Sequence, residues 1–215
     1  MTEEQAQDWV RANFDVSRET WERLEAFVAF LRREAASQNL IAASTLESIW
    51  SRHVVDSAQL LKLLPGGIPE AGGSWMDLGS GAGFPGIVVA ILSQYDVTLV
   101  ESRGMRIDYL QRAIGLLDLE GKATLAGMAL ERLETAPYSV ISARAFAPLP
   151  RLFDLAARFS TDKTIWLLPK GRNAVKEWQG VQSVWTGNFC IERSVTDAES
   201  GILVGQLSGM RQKAR

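Results

Sequence analysis

Apolar residues at Trp21, Leu24, Phe27, Val28 and Leu31 recur at helical spacing, which predicts an amphipathic helix from Arg18 to about Ala36 with Ser17 as its cap. A second helix is predicted from Ser44, with Glu47 at capping-box distance, through Ile49, Trp50, Leu60 and Leu61. The run "LLPGGIPEAGGS" stops it, and the Pro- and Gly-rich stretch 65–74 reads as a linker. Beyond the linker the period changes. Short apolar runs "SWMDL", "VTLVE", "ATLA", "SVISA" and "TIWLLPK" alternate with helical stretches from Pro85, from Met105 to Leu117, and near 129–134, 149–158 and 173–179. After Gly180 the runs "VQSVW", "FCIERSV" and "ILVGQL" lack intervening helices, so an antiparallel finish is expected. The expected fold is therefore α/β and Rossmann-like. A mostly parallel sheet with antiparallel C-terminal strands occupies 75–215, behind an N-terminal helical extension over 1–64.

Composition narrows the class without naming it. The chain has 215 residues, 47% hydrophobic and 22% charged, enough for one well-buried domain and a modest extension. No apolar stretch approaches the roughly 20 residues that cross a bilayer, and "MTEEQAQDWV" is acidic where a secretory signal is basic and then apolar. A cytoplasmic protein is expected. The single cysteine, Cys190, and the single histidine, His53, sit in no metal-ligand spacing, so no metal is expected. A net charge of −2 argues against a protein that coats nucleic acid non-specifically, while leaving room for a local basic face. Positive charge gathers in "ESRGMRIDYLQR" and "PKGRNAVK", with Arg144, Arg151 and Arg158 between them.

The candidate chemistry lies in "WMDLGSGAGFPGI", residues 75–87. A strand ending at Leu78, a glycine turn, and a helix with Pro85 in its first turn would leave free backbone N–H groups at the carboxyl end of a parallel sheet. The next strand ends in Glu101, close to the roughly 20-residue interval at which an acid accepts hydrogen bonds from ribose hydroxyls. Two cofactor classes compete. Gly81-x-Gly83-x-x-Gly86 fits the dinucleotide pattern formally, but the turn begins earlier, at Gly79. Asp77 beside the loop would repel a diphosphate and suit a cationic ligand such as S-adenosylmethionine. A glycine turn serving only close helix–strand packing is the plainer alternative.

"RHVVDS" (52–57), "DLGSGAGFPGI" (77–87), "VTLVES" (97–102), "RAFAPL" (144–149) and "LLPKG" (167–171), in this order, resemble the signature blocks of the RsmG family, also called GidB. The resemblance implies a class I S-adenosylmethionine-dependent methyltransferase fold and methyl transfer to N7 of a guanine in the 16S rRNA of the small ribosomal subunit, by a monomer. It implies cofactor contacts at Gly79 and Phe84, at Glu101 for the ribose, at the backbone of Ala129 and Leu130, and at Arg144, and the loop itself adds Asp77 and Gly81 as candidates. Two residues depart from the family pattern. Met105 stands where a lysine is usual, removing a candidate phosphate contact that Arg103 can replace, and Ser139 stands where an aspartate is usual.

Guanine N7 carries a lone pair and no proton, so this chemistry needs no general base, and no residue is expected to be catalytic. Arg144 is read as an organiser of the cofactor site. An arginine on guanine O6 and N7 would occupy the nucleophilic lone pair, so recognition must use other edges or stacking. RNA contacts are expected at Arg103, Arg106, Lys170 and Arg172. His53 and Asp56, with Arg52, read as a helical clamp between extension and domain. Two other functions stay open at this point: methylation of a small molecule or protein, and nucleotide binding without catalysis.

Overall fold

The alternating pattern beyond the linker builds a seven-stranded sheet in a computed structural model that describes residues 1–69 and 71–211. Its strands are β1 (Gly73–Leu78), β2 (Tyr95–Val100), β3 (Ala123–Ala126), β4 (Val140–Ala143), β5 (Ile165–Gly171), β6 (Trp185–Arg193) and β7 (Gly201–Met210). The order is β3-β2-β1-β4-β5-β7-β6. β1 to β5 run parallel, whereas β7 is antiparallel to both β5 and β6. The order reverses between β1 and β4, which places a ligand crevice at the carboxyl ends of these strands.

Seven α-helices accompany the sheet among the described residues: α1 (Glu3–Asn13), α2 (Arg18–Ala35), α3 (Val55–Lys62), α4 (Gly86–Leu92), α5 (Gly104–Leu116), α6 (Leu149–Ala156) and α7 (Ala174–Val181). Alternation along β1 shows how they divide. Trp75 packs with α1 to α5, while Met76 and Leu78 pack on the opposite face with α6 and α7. The helices of the extension thus share one core with α4 and α5. α4 carries the consequence. It is buried from Gly86 to Ile91, because β2 lies on one side of it and α2 and α3 on the other.

Four expectations change. Helix α1 was not expected, although Thr2 and Gln5 form a capping box. The predicted second helix is broken into a 3-10 segment (Ala43–Ser48), a π turn (Trp50–Val54) and α3, and Ser44 caps nothing. Its orphan N–H groups are met from elsewhere: the Glu3 carboxylate of α1 accepts from the backbone N–H of Trp50 and Ser51, both at 2.9 Å. In the C-terminal region, "VQSVW" is the end of α7, a turn and the first residue of β6, so two long strands finish the sheet. The stretch near 129–134 contains a single 3-10 turn, Leu130–Arg132.

The antiparallel pair leaves no room at one glycine. A Cβ at Gly205, on β7, would run into the Asn188 carbonyl oxygen and lie 2.6 Å from Phe189 Cα on β6. Gly205→Ala is expected to destabilise the fold by about 1–3 kcal/mol. Gly180→Ala, on α7 with nothing within 4 Å of its Cβ position, should be neutral or stabilising by up to about 1 kcal/mol. Denaturant unfolding of the two variants checks both signs.

Candidate functional site

The glycine loop is held almost wholly by its own surroundings. Gly79 and Ser80 N–H groups donate to the Val100 carbonyl, Gly83 N–H to the Ser80 carbonyl, Gly81 N–H to Glu101 and Gly86 N–H to Asp77. Five donors that a diphosphate would need are therefore consumed within the protein. Most of the loop N–H groups expected to be free are thus engaged, and the dinucleotide alternative loses most of its phosphate cradle. Nor is the loop superficial, since Ser80 to Gly86 are buried.

Asp77 is likewise turned inward. Its carboxylate is fully buried and lines neither of the cavities described below. It accepts from Gly86 N–H at 3.2 Å and from Ser142 Oγ at 2.8 Å, and Ser142 Oγ in turn accepts from Trp75 Nε1 at 2.8 Å. Burial raises its pKa, opposed by the Ser142 bond and the Gly86 N–H. Asp77 thus anchors the start of α4 to β4, and the reading of it as a direct cofactor contact is corrected: Oδ1 ends a Trp–Ser–Asp chain between β1 and β4, and Oδ2 takes the Gly86 N–H.

Two cavities open at the carboxyl ends of the strands. One, of about 480 Å³, is lined by Gly79, Glu101, Arg103, Arg106, Ala129, Leu130 and Arg151, among others. The second, of about 590 Å³, is lined by Arg52, Asp56, Arg144, Lys170 and Glu177, together with residues 194–202. Both share the segment Ala145 to Pro148 as a wall. Within that wall Ala145 adopts a left-handed conformation (φ 53°). Phe146 lies over the glycine loop so closely that a Cβ on Gly79 (φ +67°) would sit 2.7 Å from its ring.

Of the residues expected to hold a cofactor, Gly79, Glu101, Ala129 and Leu130 come together on the first cavity. Glu101 Oε1 accepts from the N–H groups of Ser102 and Arg103, at 2.8 and 2.9 Å, and Oε2 from Gly81 at 3.1 Å. Gly81 therefore serves the site by orienting Glu101. Phe84 is buried, its ring stacked on His53 at 5.1 Å and tilted against Phe27 at 5.1 Å. Arg144 lines the second cavity instead of the first. Arg158 was legible only as positive charge, yet it donates to the carbonyls of Leu130 (2.7 Å) and Leu133 (2.8 Å) and to Thr135 Oγ1. It holds the segment that carries Ala129 and Leu130 against the cavity.

The expected RNA contacts divide. Arg103 and Arg106 line the first cavity, and Arg106 lies 3.9 Å from Glu101. The Lys170 side chain is only 8% exposed and pairs with Glu177. Arg172 is exposed and pairs with Glu199 at 2.6 Å. Among the described residues no group of three or more His, Cys, Asp or Glu could hold a metal ion, and no helix is long and apolar enough to cross a membrane.

The clamp expected of "RHVVDS" forms around Arg144. Its Nη1 lies 3.0 Å from His53 Nδ1, 3.4 Å from Asp56 Oδ2 and 3.5 Å from the Arg52 carbonyl, and the guanidinium sits 5.2 Å above the Phe84 ring. Arg52 lends its carbonyl to the clamp, while the side-chain partner of Asp56 is Arg144. Arginine only donates, so Nδ1 of His53 must be the acceptor and Nε2 carries the proton. Nε2 is 2.9 Å from Thr45 Oγ1, which itself donates to the Ala42 carbonyl. Burial, with Arg144 and Arg52 nearby, lowers the His53 pKa to about 3.

With this geometry in place, the comparisons are specific. The rRNA small subunit methyltransferase G (GidB) family profile matches residues 20–202. This chain belongs to that family. It is 54% identical over 203 residues to the ribosomal RNA small subunit methyltransferase G of Sphingopyxis alaskensis, covering 94% of this chain and 85% of the relative. Identity is 51% to that of Rhizorhabdus wittichii, covering 100% and 99%. An O-methyltransferase from Bacillus cereus in complex with SAH superposes with a TM-score of 0.59 at 12% identity, covering 93% of this chain and 96% of that one. The TrmK tRNA methyltransferase of Bacillus subtilis gives 0.52 at 13%, covering 74% and 66%. The fold of this family member is that of the class I S-adenosylmethionine-dependent methyltransferases.

The neutral histidine has a thermodynamic signature. Unfolded, His53 takes up a proton near its ordinary value of 6.5, whereas folded it does so only near 3. The unfolded state therefore binds more protons throughout this window, and stability falls as pH drops from 6.5 towards 3. Relative to His53→Gln, the wild type should show an extra slope of up to about 1.4 kcal/mol per pH unit in that window. Parallel unfolding free energies of the two proteins would rule out a buried neutral imidazole.

Proposed function

We propose that this chain transfers the methyl group of S-adenosylmethionine to N7 of a guanine in 16S rRNA, as a monomer acting on the small ribosomal subunit in the cytoplasm. Family membership supplies the activity. The observation that carries the site assignment is the pair of cavities meeting at Ala145 to Pro148. A transfer between two bound molecules needs two adjoining sites, and the first cavity suits the cofactor. Its volume falls within the roughly 300–1,000 Å³ of small-molecule sites. Glu101 retains acceptor capacity for ribose hydroxyls, Gly79 allows close approach, and Ala129 and Leu130 form the side held by Arg158.

When bound, the cofactor supplies an electrophilic methyl carbon. The chain's own part is positioning. Glu101 is fixed by three backbone N–H groups, so a ligand hydroxyl meets an acceptor already oriented. Arg144 is held by His53, Asp56 and Phe84, and it fixes the residue from which the shared wall departs. N7 brings its own lone pair, so no side chain has to remove a proton. His53, with both nitrogens engaged, is a positioning residue for Arg144. RNA phosphates would meet the exposed Arg52, Arg103 and Arg172, while Lys170 is too buried for that role.

Labelled cofactor offered to small subunits, stripped RNA and bulk protein should mark the subunit RNA, and nuclease digestion should release 7-methylguanine. Label in protein or in a small molecule would favour the second reading; cofactor binding without transfer would favour a binding module. Single-turnover rates at saturating cofactor should be nearly flat from about pH 6 to 9, because N7 is already unprotonated and His53 does not titrate there. A bell-shaped profile would instead require an acid or base. Gly79→Val, which drives a side chain into Phe146, should weaken cofactor binding by at least about tenfold in calorimetry.

A further inference from the structure

Among the described residues, the polar partners of the Arg144 side chain all come from one short stretch of the extension. The Arg52 carbonyl and His53 Nδ1 belong to the π turn, and Asp56 Oδ2 to the first turn of α3. Where this stretch sits therefore decides where the guanidinium sits. π turns occur mostly singly and often at functional sites, and this one does not close its own hydrogen bonds at the start.

Helix α1 closes them. Both oxygens of the half-buried Glu3 are used, Oε2 accepting from Trp50 N–H and Oε1 from Ser51 N–H, each at 2.9 Å. Trp50 and Ser51 are buried, so an N–H released there would lose its partner away from bulk water. The same helix engages Trp50 a second time through its last turn: the Arg11 guanidinium lies 3.7 Å over the Trp21 ring, which stacks on Trp50 at 4.9 Å. Burial of Ala6 and Val10 explains why α1 packs on the domain; it does not call for a carboxylate at position 3. Hydrogen bonds to an ionised acceptor are stronger than neutral ones, and two from one carboxylate fix direction as well as distance. Glu3 lies before residues 20–202, the part that the family profile matches.

We infer that Glu3 is a positioning residue for methyl transfer: through the π turn it sets the place of His53, and through His53 the place of Arg144 and of the wall between the two cavities. This rests on the reading of Arg144 as the residue that fixes that wall in an RNA guanine-N7 methyltransferase.

Glu3→Gln tests it, because it keeps the size of the side chain but leaves one acceptor oxygen where there were two. Thr2→Ala is the control, since it breaks the capping box of the same helix without touching the turn. His53 is the only histidine, so its ring N–H needs no assignment in a proton spectrum. In the wild type and in Thr2→Ala this N–H, held against Thr45 Oγ1, should be visible. In Glu3→Gln it should exchange with water at least about tenfold faster or be lost. Single-turnover methylation of small subunits at saturating cofactor should slow about tenfold in Glu3→Gln, less than the roughly 100-fold of a full 1 Å misplacement. It should slow no further when combined with His53→Ala: the double variant should lie within about twofold of the slower single one. A wild type without the ring signal, a Glu3→Gln that keeps it, its loss in Thr2→Ala as well, or effects that multiply in the double variant would each overturn the assignment of Glu3. A wild type that shows the signal but yields no 7-methylguanine overturns the underlying functional reading instead.

Discussion

The site depends on one half-buried cation. Arg144 leaves the end of β4 and is received by residues of another part of the chain, His53 and Asp56, over the face of Phe84. Burial lowers the guanidinium's pKa and Asp56 opposes that shift, but arginine remains charged in proteins. The surroundings must therefore answer the charge. A protonated His53 would have repelled it, and the neutral ring with its lone pair directed at Nη1 accepts from it instead. The extension is thus tied to the catalytic crevice by a pairing that works only with histidine deprotonated. The wall of Ala145 to Pro148, which both cavities share, begins at the residue so held.

The glycine loop is governed by a second constraint, that buried backbone donors must be met. In a dinucleotide site the ligand meets some of them. Here Val100, Ser80, Glu101 and Asp77 meet five of them from within the protein. The acids at its two ends look alike in sequence but have separate roles. Asp77 lies beneath the loop and ties α4 to β4; Glu101 lies at its open side and faces the cavity. The glycines leave room for Phe146 above Gly79, and for Leu99 and Asp77 against Gly86.

Much of this was legible in the sequence because period and motif report on local physics. The alternation of apolar runs predicts all five parallel strands, and Gly79 and Glu101 at successive strand ends fall on one cavity, as the topology of such sheets requires. What escaped depended on contacts distant in sequence. Ser44 and Glu47 have capping-box spacing, yet Glu3, from a helix whose Thr2–Gln5 box went unused, supplies the acceptor for Trp50 and Ser51. Asp77 reads as a ligand carboxylate until Ser142 is placed beside it. Arg158 and Lys170 are both simply basic in sequence; burial makes one a staple for Leu130 and the other a partner of Glu177.

The chemistry explains why so many polar groups here can be locked. An enzyme that must move a proton keeps a titratable side chain near neutrality and free to change partners. Transfer to an atom that already holds a lone pair removes that requirement. His53 can then be held neutral, Glu101 oriented by backbone donors and Arg144 held against Asp56. Such groups contribute rigidity, and rigidity is what in-line transfer between two chambers needs, because misplacing the reacting atoms by about 1 Å can cost on the order of 100-fold in rate.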